Sequence, residues 1–211
     1  MAFVDPVVVS HEQAAAFASC IAGGGVAVFP ADTVYGLACD PANGDAIERL
    51  ARLKRRDPAK PSAVMFFALE PALETLTGLG ERTRAALEAL LPGPVTLLLP
   101  NPAGLYPAAC GADRSTLGVR VPALGPALEA LERVHLPVLQ TSANEAGAPD
   151  ARCVQDVPAT IRDHADLVID GGELPGVAST VLDLTALDSS GGWAIVRQGA
   201  LPADEIARRL G

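Results

Sequence analysis

Lysine is almost absent from this chain: Lys54 and Lys60 are the only two, against fourteen arginines, and both fall in "RLKRRDPAKP", residues 52–61. Histidine is scarce as well (His11, His135, His164), and Cys20, Cys39, Cys110 and Cys153 stand far apart with no C-x-x-C pair. That spacing suggests neither a zinc motif nor a disulfide framework, so the cysteines are read as reduced thiols filling small buried spaces. Aromatic residues make up only 4% of the chain and show no RNP-like pattern, which weighs against RNA reading by base stacking. No run of about twenty apolar residues exists, so no membrane span is expected. The opening "MAFVDPVVVS" carries an early Asp5 and no basic flank, so no signal peptide is expected and the protein is placed in the cytoplasm. Neither G-x-x-x-x-G-K-[ST] nor a G-x-G-x-x-G after a strand occurs, which removes the two commonest nucleotide motifs. A net charge of −9 and a pI near 4.7 argue against a protein that coats nucleic acid, because such binding rests on neutralising many phosphates.

What remains is an ordinary core-forming chain. With 211 residues and 49% hydrophobic content, residues 1–211 are read as a single domain without linker, repeat or low-complexity tract. Ser10 with Gln13 forms a capping box for a helix through "HEQAAAFASCIA", stopped by Gly23-Gly24-Gly25. Asn43 caps a second helix through "DAIERLARLKR" that Pro58 must end. Helices are also expected in "EPALETLTG", "RTRAALEALLPG", "PALEALERV" and "ADEIARRLG". Strands are expected in "VAVFP", "SAVMFFA", "VTLLLP", "LGVRVP", "LPVLQTS", "DLVIDGG", "STVLDLT" and "WAIVRQG". Runs too apolar for a half-exposed sheet, mixed with helices, indicate an α/β sheet covered by helices.

The basic stretch sits where the second helix gives way to a loop. For Arg52 and Arg55 solvated charges complementing the helix dipole are the simpler reading. Lys54 and Arg56 enter a proline-bounded loop, which fixes where two cations point, and an anion is the simplest partner. The acidic background favours a small phosphorylated ligand over a polyanion. Polar islands at strand ends could complete such a site: "PADTVYGL" (30–37), "TSAN" (141–144) and "STV" (179–181), although each alone could be a turn or cap.

Taken in order, "PADTVYGL", "KRRDPAKP", "PGPVTLLLP", "STLGVRVP", "TSANEAG", "DGGELPGVASTVLD" and "IVRQGA" resemble the YrdC-like threonylcarbamoyl-AMP synthase family, from about Gly24 to Ala200. The resemblance implies a YrdC-like α/β fold, a twisted mixed sheet with a concave basic cleft. It also implies a nucleotidyltransferase that joins L-threonine, bicarbonate and ATP into threonylcarbamoyl-AMP and pyrophosphate, for threonylcarbamoyladenosine modification of tRNA. Lys54 and Arg56 match the family's catalytic K-x-R facing the phosphates, and Ser142 and Asn144 its S-x-N. By the same resemblance Lys60, Thr116 and Arg197 are ATP contacts, while Thr33, Arg120 and Ser179 are threonine contacts, Arg120 on the carboxylate side. Mg²⁺ is implied with the triphosphate, held through phosphate oxygens and water. The product would pass to tRNA-threonylcarbamoyl transfer machinery, with weak tRNA or RNA contact conceivable and no membrane partner.

Met65 stands where some relatives carry a substrate-touching histidine, Ala146 replaces a frequent serine, and the chain ends soon after Arg197, so a short form without an extra C-terminal domain is expected. Arg120, an arginine in an apolar strand, could instead hold an internal carboxylate. Two other activities share the phosphate residues: an enzyme that carbamoylates or hydrolyses an adenylate, and an RNA-binding module of the same fold.

Overall fold

The computed structural model describes residues 7–57 and 59–211. The start of the chain with Asp5, and Pro58 as a helix stop, lie outside the described residues. In order the elements are α1 (His11–Ala22), β1 (Ala27–Pro30), β2 (Tyr35–Cys39), α2 (Gly44–Leu53), β3 (Ala63–Met65), α3 (Leu69–Thr75), α4 (Glu81–Leu90), β4 (Val95–Pro100) and β5 (Thr116–Arg120). They continue with a 3₁₀ turn (Glu129–Arg133), β6 (Val138–Ser142), α5 (Ala159–Arg162), β7 (Leu167–Val168), β8 (Thr180–Asp183), α6 (Leu187–Ser190), β9 (Ala194–Arg197) and α7 (Ala203–Leu210).

The nine strands among the described residues join one mixed sheet in the order β7-β1-β2-β6-β3-β5-β4-β8-β9. Three parallel pairs (β1 with β7, β3 with β5, β4 with β8) are set among five antiparallel ones, which brings the strand ends carrying the polar islands onto one region of the sheet. The apolar runs are buried as their composition demands: β1 and β2 have no exposed residue. Phe17 of α1 packs against Phe29 of β1 at 5.0 Å between ring centroids, and Phe67 closes the cluster edge-on to both. The capping box at Ser10 is formed, with Gln13 N–H donating to Ser10 Oγ at 3.1 Å and Ser10 N–H to Gln13 Oε1 at 2.8 Å. None of the four cysteines is disulfide-bonded; Cys39 and Cys110 are buried, Cys20 and Cys153 only partly. Among the described residues no helix is long and apolar enough to cross a membrane.

Three sequence expectations shift. Tyr35 to Leu37 of "PADTVYGL", read as a polar island where a strand opens into a loop, instead begin a fully buried strand, "YGLAC", because Tyr35 hides its ring and sends its hydroxyl to Gly172 O at 2.8 Å. "SAVMFFA" contributes only three strand residues, since Phe66 and Phe67 leave the ladder to fill the core. "PALEALERV" tightens into five residues of 3₁₀ helix packed on α1 rather than an α-helix.

One buried hydroxyl gathers the turn that leads into the C-terminal helix. Thr180 Oγ1, fully buried, donates to Leu201 O at 2.7 Å and accepts from Gly199 N–H and Leu201 N–H, both at 3.0 Å. Thr180→Val keeps the shape but strands two backbone donors, Leu201 O keeping its second bond from Gln198 Nε2, and is expected to cost about 3 kcal/mol. Thr180→Ser, which keeps the hydroxyl, should cost about 1 kcal/mol. Equal losses for the two variants in chemical denaturation would show that the methyl, not the hydrogen-bond cluster, holds this segment.

Candidate functional site

The K-x-R geometry is set by how α2 ends. Arg55 N–H bonds to Arg52 O at 3.0 Å and Arg56 N–H to Ala51 O at 2.9 Å, a Schellman ending. Its left-handed residue, normally glycine, is Arg55 at φ 50°. The reversal leaves the Arg55 side chain 71% exposed, beside Glu145, while Lys54 and Arg56 on either side turn toward the sheet.

Lys54 is 3% exposed. Its ammonium donates to Ser142 O, to Asn144 O at 2.7 Å and to Asn144 Oδ1 at 3.0 Å, so each of its three N–H groups has an acceptor. Its own carbonyl accepts from Ala146 N–H at 3.1 Å. Asn144 Oδ1 also accepts from Ser142 Oγ at 2.6 Å, and Asn144 Nδ2 donates to Ala148 O at 2.5 Å. K-x-R and S-x-N are therefore one hydrogen-bonded cluster. Burial, reinforced by Arg56 and opposed by Asp150, pushes the Lys54 pKa down to about 8.

In front of this cluster lies a cleft of ≈ 550 Å³ whose floor is the β3–β5–β4–β8 part of the sheet. Three guanidiniums reach it: Arg56, Arg120 and Arg197. Arg56 Nη1 donates to Thr141 Oγ1 at 2.9 Å, which aims its planar head along the wall. Arg120, on β5, gives Nη2 to Asp32 Oδ1 at 2.6 Å and, more weakly, to Thr33 Oγ1 at 3.4 Å; Nη1 is 3.4 Å from Gln140 Oε1, and Nε has no partner. Both members of the Arg120–Asp32 pair are 4% exposed, so the internal carboxylate envisaged from sequence is present and Arg120 still lines the cleft. Arg197 Nη2 donates to Ser179 O at 2.8 Å, and Ser179 Oγ lies 2.8 Å from Thr96 Oγ1. At the other end Thr116 Oγ1 donates to Asp113 Oδ2 at 3.2 Å. Bonds from Ser115 and Thr116 hold the Asp113 carboxyl below its usual range.

Of the residues singled out from sequence, Arg56, Thr116, Arg120, Ser142, Ser179 and Arg197 line the cleft. Lys54, Asn144 and Thr33 stand directly behind it, bonded to lining residues, while Lys60 is exposed outside the lining. The lining is mixed rather than uniformly basic, because Asp113, Asp150 and Asp183 share it with the arginines. Sequence reasoning missed those aspartates together with Thr96 and Gln140, and named Thr141 only as part of its "TSAN" island. A polar residue on the cleft side of an otherwise apolar strand, as Thr96 is in "VTLLLP", was the available signal. Met65 is fully buried in the core. Among the described residues no three His, Cys, Asp or Glu side chains group to hold a metal ion.

A family model described as telomere recombination, Sua5/YciO/YrdC, matches residues 19–199. The threonylcarbamoyl-AMP synthase of Pyrococcus abyssi is 33% identical over 92% of this chain, which spans only 56% of that relative's length. The threonylcarbamoyl-AMP synthase of Hahella chejuensis is 31% identical over 85% of this chain and 95% of its own. Among solved structures, P. abyssi Sua5 complexed with L-threonine superposes with a TM-score of 0.82 at 29% identity, covering 96% of this chain and 58% of that one. With a family match across most of its length and a fold that agrees with it, this chain belongs to the Sua5/YciO/YrdC family.

Proposed function

We propose that the protein is an L-threonylcarbamoyladenylate synthase, taking L-threonine, bicarbonate and ATP to threonylcarbamoyl-AMP and pyrophosphate. The observation that carries this reading is the convergence of Arg56, Arg120 and Arg197 with the Ser179 and Thr96 hydroxyls on one cleft wide enough for a nucleotide and an amino acid together. Relatives named for this synthesis, one of them nearly matched in length by this chain, support it.

In the proposed reaction the threonine amine captures bicarbonate as a carbamate, with loss of water. A carbamate oxygen then attacks the α-phosphorus of ATP, and the bond to the β-phosphate bridging oxygen breaks to release pyrophosphate. No protein nucleophile is needed; alignment and charge stabilisation supply the catalysis. Arg120, held by Asp32, would receive the threonine carboxylate, with Ser179 and the Thr33 region shaping its side. Arg56, Arg197, Thr116, Ser142 and Asn144 would serve the nucleotide, and Lys60 could reach it only from the rim. Lys54, its donors already engaged, would act from behind, as a fixed positive charge and as the tie that positions residues 142–146. ATP would enter as its Mg²⁺ complex, the metal held by phosphate oxygens and water. The threonylcarbamoyl group would then be handed to tRNA-modifying enzymes. A cleft that mixes aspartates with arginines suits one triphosphate better than an RNA backbone.

Pyrophosphate release should require L-threonine, bicarbonate and Mg²⁺-ATP together, and should drop sharply when L-serine replaces threonine. Release that ignores the amino acid would instead point to a carbamoyl-adenylate or hydrolase activity. Lys54→Ala is expected to lower turnover by roughly two to three orders of magnitude, the usual cost of a lost electrostatic partner. In the wild type the Lys54 charge is present below about 8 and lost above it, so turnover should fall as pH rises through that value. Asp150→Asn removes the group that raises this pKa, and the alkaline limb should move to lower pH. A limb that stays in place would disconnect Lys54 from the rate.

A further inference from the structure

Three aspartates share the cleft lining with the arginines, and two of them are committed to the fold. Asp113 accepts from Ser115 N–H at 3.0 Å, from Ser115 Oγ at 2.6 Å and from Thr116 Oγ1 at 3.2 Å, which closes the turn before β5. Asp183 Oδ1 accepts from Thr185 N–H at 2.8 Å and from Thr185 Oγ1 at 2.6 Å, at the end of β8. The third is different. Among the described residues no hydrogen bond or ion pair reaches the Asp150 carboxylate, and the arginines nearby in the fold pair elsewhere, Arg55 with Glu145 and Arg120 with Asp32. Its backbone is nonetheless fixed on both sides, for Ala148 O accepts from Asn144 Nδ2 at 2.5 Å and Ala151 O from Tyr35 N–H at 2.9 Å. The carboxylate is thus kept in the same lining as Arg56 and Ser142 without holding any part of the chain.

A free carboxylate is out of place in a cleft built for anions. Arg56, Arg120 and Arg197 line that cleft, and Arg120 Nε is closed off from solvent with no partner of its own. A triphosphate entering there would be repelled by Asp150, in surroundings that screen charge less than water does. A divalent cation between the two turns the repulsion into attraction. Mg²⁺ suits this chemistry: it takes hard oxygen ligands, keeps several waters, and is commonly held by one or two carboxylates with substrate phosphates rather than by a protein cage. One free carboxylate is then enough, and the lack of a three-ligand cluster among the described residues fits a metal that arrives with the nucleotide. We propose that Asp150 is the protein's contact to the Mg²⁺ of bound Mg²⁺-ATP, its carboxylate accepting hydrogen bonds from water on the metal. The assignment rests on the synthase reading in that ATP binds this cleft, and it adds to that reading a residue that selects the metal-bound form of the nucleotide.

Equilibrium binding of ATP with excess Mg²⁺, of ATP with EDTA, and of L-threonine to wild type and Asp150→Asn tests it, at mildly acid pH where Lys54 keeps its charge, with a thermal melt of each protein. The two should melt alike, since the carboxylate holds nothing in the fold. Mg²⁺ should strengthen ATP binding to wild type by roughly tenfold more than to the variant, the usual weight of a charge-assisted hydrogen bond. Metal-free ATP should bind the variant more tightly than wild type, because the repulsion is gone, and L-threonine should bind both equally. That reversal of sign separates a metal contact from a lost Lys54 charge, which would weaken ATP with and without metal. An equal gain from Mg²⁺ in both proteins, a loss confined to L-threonine, which would give the carboxylate to the substrate ammonium, or a variant that fails to fold would each overturn the assignment and leave the synthase reading standing. A wild type that binds no ATP in either condition would overturn both.

Discussion

The cleft depends on a buried ammonium. Lys54 joins the end of α2 to the loop after β6 through three oxygens, and it does so at a position 3% exposed to solvent. An ammonium without partners there would cost several kcal/mol, so the charge is tolerable only while residues 142 and 144 present their oxygens to it. The constraint runs in both directions: the loop is ordered by the charge, and the charge is retained by the loop. Two motifs separated by some ninety residues are thereby fixed in mutual register, and Ser142 and Arg56 reach the cleft wall from opposite sides of the same tie.

The other cations in the cleft are held by the same means, each with part of its hydrogen-bonding capacity already used. Arg120 leans on Asp32, Arg56 on Thr141 and Arg197 on the Ser179 carbonyl. An arginine oriented in this way loses less side-chain entropy when an anion arrives, and its planar fork is already aligned. The aspartates in the lining moderate the field, so anion affinity comes from placement of particular groups rather than from bulk positive charge. That is consistent with a chain of net charge −9 that keeps three guanidiniums around a single cleft.

Much of this was legible in the sequence, and the limits have physical causes. Helix starts at Ser10 and Asn43 and most apolar strands were readable because caps and periodicity are local signals. "YGLAC" escaped because Tyr35 and Gly36 look like loop residues until the ring is buried and the glycine is packed under Phe29. K-x-R was visible as a pair of cations at the end of a helix. That Lys54 faces inward while Arg56 faces the cleft was not, because it follows from the left-handed turn at Arg55, where an arginine stands in the usual glycine position. Asp113, Asp150 and Asp183 come from separate loops and strands, and only the sheet order brings them to one wall.

In the proposed reaction no reactive side chain takes part, and the same sheet order is suited to that. Strands paired in register present rows of residues at fixed spacing, and a row can be polar at its ends and bare in the middle. Cations mounted behind and beside such a row can hold charged groups in line over an apolar floor, where each electrostatic contact is stronger than it would be in water. For a reaction in which carbamate, phosphorus and leaving group must be collinear, rigidity of the floor is then worth as much as any single cation. It also follows that changes in the hydrophobic layer beneath β5, such as at Leu117 or Val119, would act on the chemistry through displacement of Thr116, Gly118 and Arg120, their neighbours on the opposite face.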